Sequence, residues 1–170
     1  MADTESDAIA RATHSPAVRI EWYTGPRAGV RHLFELADDS ERELDSYIDK
    51  GRVLVAFSGR EMIGHLQLID EPDLDAVELK NLAVVESWRG RGVGRALVER
   101  ALAECAGSPR STLLVATGAA DIGNLRFYQR LGFRMLRVER DAFTPASGYP
   151  DGMEVDGIPL LDRVWLDQEL

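Results

Sequence analysis

Eight residues near the middle of the chain, Trp88-Arg89-Gly90-Arg91-Gly92-Val93-Gly94-Arg95, combine glycine at alternate positions with three arginines and no acid. Glycine lets a backbone turn tightly and approach a ligand without a Cβ in the way. Successive N–H groups of such a loop form a cradle for a phosphate or diphosphate. The fixed fork of an arginine suits the same anion. A glycine-rich turn with solvated arginines is the bland alternative. Position favours the cradle: the loop joins an apolar strand, Val77 to Val85, to a helix, Val93 to Cys105, whose first amides point outward at the positive end of its dipole. No lysine and hydroxyl pair follows Gly92 or Gly94, which excludes the phosphate loop of nucleotide hydrolases. The next strand, Ser111 to Thr117, ends without the acid that a dinucleotide fingerprint needs.

The elements that must carry this loop follow from periodicity. Residues 1–16 are polar and aperiodic and read as a flexible leader, leaving 17–170 as one domain. Val18 to Trp22 alternates as a strand. Leu33, Phe34, Leu36 and Ala37 suggest a helix ending near Asp38-Asp39. Ser40 then caps a second helix, with Glu43 completing a capping box. Two apolar runs, 52–57 and 62–69, flank Ser58-Gly59-Arg60-Glu61 as a hairpin. After the strand–helix–strand unit 77–117 comes a helix through Leu125, Tyr128 and Leu131, stopped by Gly132, and a strand from Phe133 to Val138. A Gly-, Pro- and Asp-rich loop over 141–157 precedes a last strand, Ile158 to Leu166, which either completes the sheet or exchanges with a second copy in a homodimer. The expected fold is an α/β one: a mixed, mostly antiparallel sheet of six or seven strands with helices on both faces. The 77–117 crossover makes its two strands parallel.

Composition bounds the partners. The 170 residues carry 20 basic and 29 acidic side chains, a net charge of −9, which repels phosphate backbones and argues against nucleic acid as partner. No apolar run approaches the ~18 residues of a membrane helix. The first residues lack the basic and apolar regions of a secretory signal, and Cys105 is the lone cysteine, so no internal disulfide forms and the cytoplasm is the expected location. His14 and His32 have no partner at metal-ligand spacing, so no metal is expected. Charge is unevenly spread: residues 35–49 hold seven acids against Arg42 alone.

Two motifs in order resemble the GNAT superfamily of acyl-CoA-dependent N-acetyltransferases. Arg89-x-x-Gly92-x-Gly94 is similar to that family's Gln/Arg-x-x-Gly-x-Gly/Ala signature. Leu79-Lys80-Asn81-Leu82-Ala83-Val84 resembles its central strand, and Asn124 to Phe133 its second motif. The matches lie within 77–133, and the element order extends the likeness over nearly the whole chain.

The resemblance implies acetyl-CoA as acyl donor. Its diphosphate would sit on the amides of Gly90, Arg91, Gly92, Val93, Gly94 and Arg95, with Arg89 and Arg91 as supporting charges. The edge at Leu82, Ala83 and Val84 would bond the pantetheine arm, and the Val84 amide would polarise the thioester carbonyl. Tyr128, four residues before Gly132, stands where the family places a general acid for the leaving thiolate; as a helix aromatic it would otherwise be core. Asn124 either contacts the arm or caps its helix. Glu78 matches the position of the base in the histone-acetylating branch of the family, while a solvated strand-end acid, with water as base, is the even alternative.

For the acceptor, the acidic run 35–49 and the loop 141–157 suggest a cleft that attracts a small cationic primary amine, aminoglycoside-like or polyamine-like. Solubility alone would also explain the acidity. The rival functions are a protein N-terminal or lysine acetyltransferase, which needs an open groove, and a non-catalytic acyl-CoA-binding sensor. His65 and Gln67 are expected to be satisfied polar residues on a half-solvated sheet, and Cys105 a small buried residue.

Overall fold

A computed structural model describes residues 17–170; the leader expected over 1–16 lies outside the described residues. Seven strands form one sheet in the spatial order β1-β2-β3-β4-β5-β9-β6. They are β1 (Val18–Trp22), β2 (Arg52–Ser58), β3 (Glu61–Glu71), β4 (Ala76–Val84), β5 (Thr112–Gly118), β6 (Arg134–Glu139) and β9 (Arg163–Glu169). Only β4 and β5 run parallel; every other neighbouring pair is antiparallel. The chain thus has the mixed, mostly antiparallel sheet that its periodicity predicts.

Both faces of the central strands β2 and β3 are covered, which is why they read as nearly continuous apolar runs. In β2, Leu54 and Ala56 join the core under the helix α3 (Val93–Cys105), whose Leu97, Val98, Ala101 and Cys105 are buried. Val53 and Val55, alternating with them, face the opposite layer. That layer is α1 (Arg31–Phe34) and α2 (Glu41–Tyr47), which bury Phe34, Leu44 and Tyr47. The helix α4 (Ile122–Arg130) adds Leu125 and Tyr128 to the first core. Each fully buried leucine contributes roughly 1.5–3 kcal/mol over an exposed one, so the two layers hold β2 to β4 firmly.

Three local expectations need correction. The first helix stops at Phe34, and Leu36 and Ala37 beyond it are exposed. The capping box at α2 is half made. Ser40 Oγ accepts the Glu43 N–H, but the Ser40 N–H donates to Asp38 Oδ1 at 3.0 Å, so Asp38 takes the part expected of Glu43. The last strand does not start at Ile158. Ile158–Pro159 is β8, paired with β7 (Glu154–Val155) in a separate two-stranded ribbon. Pro159 has no N–H to continue a ladder. The backbone of 160–162 turns instead to hold the loop: Leu160 N–H donates to Met153 O, Phe143 N–H to Leu161 O and Asp141 N–H to Asp162 Oδ1. The strand then resumes as β9, inserted between β5 and β6 of its own chain.

Candidate functional site

The parallel ladder between β4 and β5 is short, running from Ala76 opposite Thr112 to Leu79 opposite Val115. At the same level β4 carries a bulge toward β3: Leu79 pairs with Leu68 and Asn81 with Gln67, leaving Lys80 as the extra residue. A bulge bends its strand and increases local twist, and from here β4 and β5 separate. Val85 N–H donates to Ile63 O on β3. Because successive amides of a strand point to opposite edges, the Val84 amide points away from β3, into the gap. On that side the Arg89 Nε donates to Val84 O at 3.0 Å.

A cleft of about 820 Å³ fills the gap on one side. Leu82, Ala83 and Val84 form one wall, the loop residues Arg89, Gly90, Gly92, Val93, Gly94 and Arg95 another, and Asn124, Phe127 and Tyr128 of α4 a third. Gly90 and Gly92 sit at φ +72° and +83°, conformations that disfavour a side chain, and a Cβ at either would meet nothing within 4 Å. Their openness leaves room for a ligand against the backbone. Gly92 precedes α3 without a side-chain cap, and the first intrahelical bond runs from Ala96 N–H to Gly92 O. The N–H groups of Val93, Gly94 and Arg95 therefore lack helical acceptors. An anion fits there.

The arginines differ from one another. Arg89 stays at the cleft. Arg91 does not line it; its guanidinium lies over the Trp88 ring, 5.1 Å from the centroid. Arg95 lines the cleft while its Nε pairs with Glu99 at 2.7 Å. Asn124 is not the cap of α4. Asp121 is, its side chain accepting the Asn124 N–H at 2.8 Å, and Asn124 Nδ2 reaches Thr117 Oγ1 at the end of β5.

A second cavity, of about 290 Å³, lies beyond the first. Leu82, Asp121, Asn124 and Tyr128 line both. Tyr128 is 6% exposed, and burial pushes its phenol well above the usual tyrosine range, so it stays protonated at neutral pH. Glu78 lines the second cavity, 8% exposed, with Lys80 Nζ at 3.4 Å. Asp38, Asp39 and Glu43 bring the acidic run 35–49 to this cavity. The loop 141–157 lines it too, with Phe143, Tyr149, Met153 and Val155. Its acids Asp141, Asp151, Glu154 and Asp156 do not line the cavity, so the loop contributes aromatic and apolar surface instead of charge.

Sequence reasoning missed Tyr47 and Asn81, which meet behind Asp38. Tyr47 looked like one more apolar position on a helix stripe. Asn81 carried a usable signal: Lys80-Asn81, two successive polar residues, break the alternation of a mostly apolar strand, and they mark the bulge. The expectation for His65 and Gln67 is wrong about solvation, since both are 0% exposed beneath α1 and α2. Gln67 Nε2 donates to Tyr47 O and Lys50 O, holding the end of α2. The His65 ring packs on Phe34 at 4.2 Å with neither nitrogen hydrogen-bonded. Cys105 is buried and free. Among the described residues no group of three or more His, Cys, Asp or Glu side chains could hold a metal ion, and no helix is long and apolar enough to cross a membrane.

Comparison with known proteins agrees with this geometry. The Acetyltransferase (GNAT) domain model matches residues 49–135, from the end of α2 through the loop and α4 into β6. The chain is 33% identical over 153 residues to YvbK, an uncharacterized N-acetyltransferase of Bacillus subtilis (strain 168), which covers 88% of this chain and 96% of that protein. A solved Bacillus subtilis acetyltransferase in complex with CoA aligns with a TM-score of 0.82 and 30% identity, covering 91% of this chain and 99% of that one. A GNAT family acetyltransferase from Elizabethkingia anophelis with acetyl-CoA bound aligns with a TM-score of 0.82 and 29% identity, over 90% of this chain and 98% of that one.

Proposed function

The chain belongs to the GNAT acetyltransferase family and is an N-acetyltransferase, and from that premise we propose that it moves the acetyl group of acetyl-CoA to a primary amine of a small, cationic acceptor. The observation that carries this reading is the pair of cavities joined at Tyr128 and Asn124: a basic, amide-lined cleft on one side and an acidic one on the other. Acceptor and donor then meet in one ternary complex, with residues 17–170 acting as a single catalytic domain.

Acetyl-CoA supplies an acetyl group already activated as a thioester. The residues present fit it. Amides of the loop and first turn of α3, from Gly90 to Arg95, hold the diphosphate, with Arg89 alongside. The open edge of β4 at Leu82 and Val84 bonds the pantetheine arm as a neighbouring strand would. Val84 N–H donates to the carbonyl oxygen, where negative charge develops during attack. Glu78, directly or through water, accepts the proton that the ammonium must lose before its lone pair can attack. Tyr128 gives a proton to the leaving sulfur.

The fold of loop 141–157 over the second cavity supports a small acceptor over a protein N-terminus or lysine, which needs an open groove. The test is a panel of neutral and polycationic amines with acetyl-CoA, read by thiol release at low and high salt. Cationic amines should react faster, and salt should reduce their advantage. Preference for neutral amines with no salt effect would overturn the acceptor class. Binding of CoA without thiol release from any amine would leave a sensor module.

A further inference from the structure

The bulge in β4 places an amine in the second cavity. Lys80 is the extra residue between Leu79 and Asn81, so it leaves the regular alternation of the strand, and a bulge re-aims the side chain it carries. Here the side chain turns to Glu78: Lys80 Nζ lies 3.4 Å from Glu78 Oε1 and 5.1 Å from the centroid of the Tyr47 ring. Every other ion pair among the described residues uses arginine, and the chain has only two lysines, Lys50 and Lys80. The choice matters chemically. An arginine keeps its proton in a protein, whereas a lysine can lose one and become a nucleophile.

Glu78, the base proposed above, thus faces an amine of its own chain before any acceptor enters. Leu82, two residues farther along β4, lines both cavities, as does Tyr128. Base, amine, acid and the edge proposed for the pantetheine arm therefore border one space of about 290 Å³. Among the described residues Lys80 carries the one amine that lines either cavity; Lys50 is exposed and lines neither. The Lys80 side chain is 31% exposed, so it is not sealed in the core. An amine already held beside its base needs no binding step, and that placement substitutes for a high concentration of free acceptor.

Resting on the acetyl-transfer reading above, we propose that Lys80 is a self-acetylation site, at which the enzyme takes the acetyl group of acetyl-CoA onto its own chain when no acceptor amine is present. The Lys80 ammonium gives a proton to Glu78, which passes it to solvent. The neutral Nζ attacks the thioester carbonyl carbon; an N–C bond forms and the C–S bond breaks. Tyr128 protonates the leaving sulfur and recovers a proton from the nitrogen as the amide forms. The products are Nζ-acetyl-Lys80, CoA thiol and one proton. Acetylation removes the positive charge of Lys80, and with it the ion pair to Glu78.

The test incubates the wild-type protein with acetyl-CoA and no added amine, and follows acetylation by intact mass and peptide mapping. Lys80 should gain its acetyl group ~10-fold or more faster than Lys50, which reports spontaneous acetylation within the same molecule. The rate per chain should not change with protein concentration, because amine and donor site belong to one chain. Excess free CoA, which occupies the donor cleft, should suppress the mark on Lys80 and spare that on Lys50. An unmodified Lys80, a Lys50 acetylated as fast, a Lys80 rate insensitive to CoA, or one that rises in proportion to protein concentration would each overturn the proposal. Thiol release with an amine of the panel but no acetyl group on Lys80 overturns self-acetylation alone. Absence of both overturns the transfer reading with it.

Discussion

Leu79 on β4 pairs with Val115 on β5 as the last rung of the one parallel ladder in the sheet. Past that rung the strands part, and the edge of β4 from Leu82 to Val84 faces a cleft where a neighbouring strand would otherwise lie. The bulge at Lys80 sits one residue beyond Leu79. The opening therefore starts where β4 bends, and the loop, α3 and α4 are arranged around it.

The anion cradle makes Gly92 the most sensitive position of the loop. Gly92→Asp places a negative charge beside the free amides of α3 and strains a backbone at φ +83°. A non-glycine residue in left-handed conformation costs roughly 1–2 kcal/mol, and Gly92→Ala, which carries that cost alone, serves as the control. Gly92→Asp should weaken CoA binding by ~100-fold, about the loss of two charge-assisted hydrogen bonds. Calorimetric titration of CoA into both variants checks it, and an unaltered affinity in the aspartate variant would remove the cradle.

Tyr128→Phe separates chemistry from packing. Burial at the junction of two cavities holds this phenol protonated, so the role proposed for it is proton donation. Loss of a positioned general acid costs on the order of 100-fold or more in kcat, with CoA affinity unchanged. Because a tyrosine normally ionises at about pH 10 and this one is shifted higher, the wild-type rate should not lose its acid as pH rises to that range. A phenylalanine variant with undiminished kcat would reduce Tyr128 to a core aromatic.

The parts of the molecule legible in the sequence were those whose signals are local. The glycines and arginines of 89–95, the stripe on α3 and the alternation of β1 need only neighbouring residues, and the elements fall where these predict. The break at Pro159 is equally local, a proline without an N–H inside an apolar run. The second cavity was hidden for another reason. Asp38, Asn81 and Tyr149 are far apart in the chain and meet only because β4 bends and the loop folds onto α2. Burial misled in the same way: His65 and Gln67 alternate like residues of a solvated face, and only the tertiary cover of α1 and α2 makes them internal. The acidic loop attracted notice for charge, while its contribution to the cavity is Phe143 and Tyr149.

Glu78→Gln tests the base. An amine of pKa about 10.4 arrives protonated at neutral pH, so the variant should lose ~10- to 100-fold in kcat/KM at pH 7. The deficit should shrink as pH rises and more amine arrives already neutral. A pH–rate profile that matches the wild type throughout would assign proton removal to water alone. CoA affinity, measured in parallel, should not change, because Glu78 lines only the second cavity.

His65 should make the protein acid-sensitive. Burial under α1 pushes its pKa down from 6.5 to about 3, outweighing the neighbouring Asn81 side chain, which acts the other way. The unfolded chain therefore binds a proton below pH 6.5 that the folded protein refuses, and linkage makes stability fall as pH drops from there toward 3. The slope for one such proton is about 1.4 kcal/mol per pH unit. Urea titrations at pH 7, 6 and 5 should show that loss, and His65→Leu, which keeps the apolar contact with Phe34, should flatten the His65 part of the dependence. An equal slope in the leucine variant would place the acid sensitivity elsewhere.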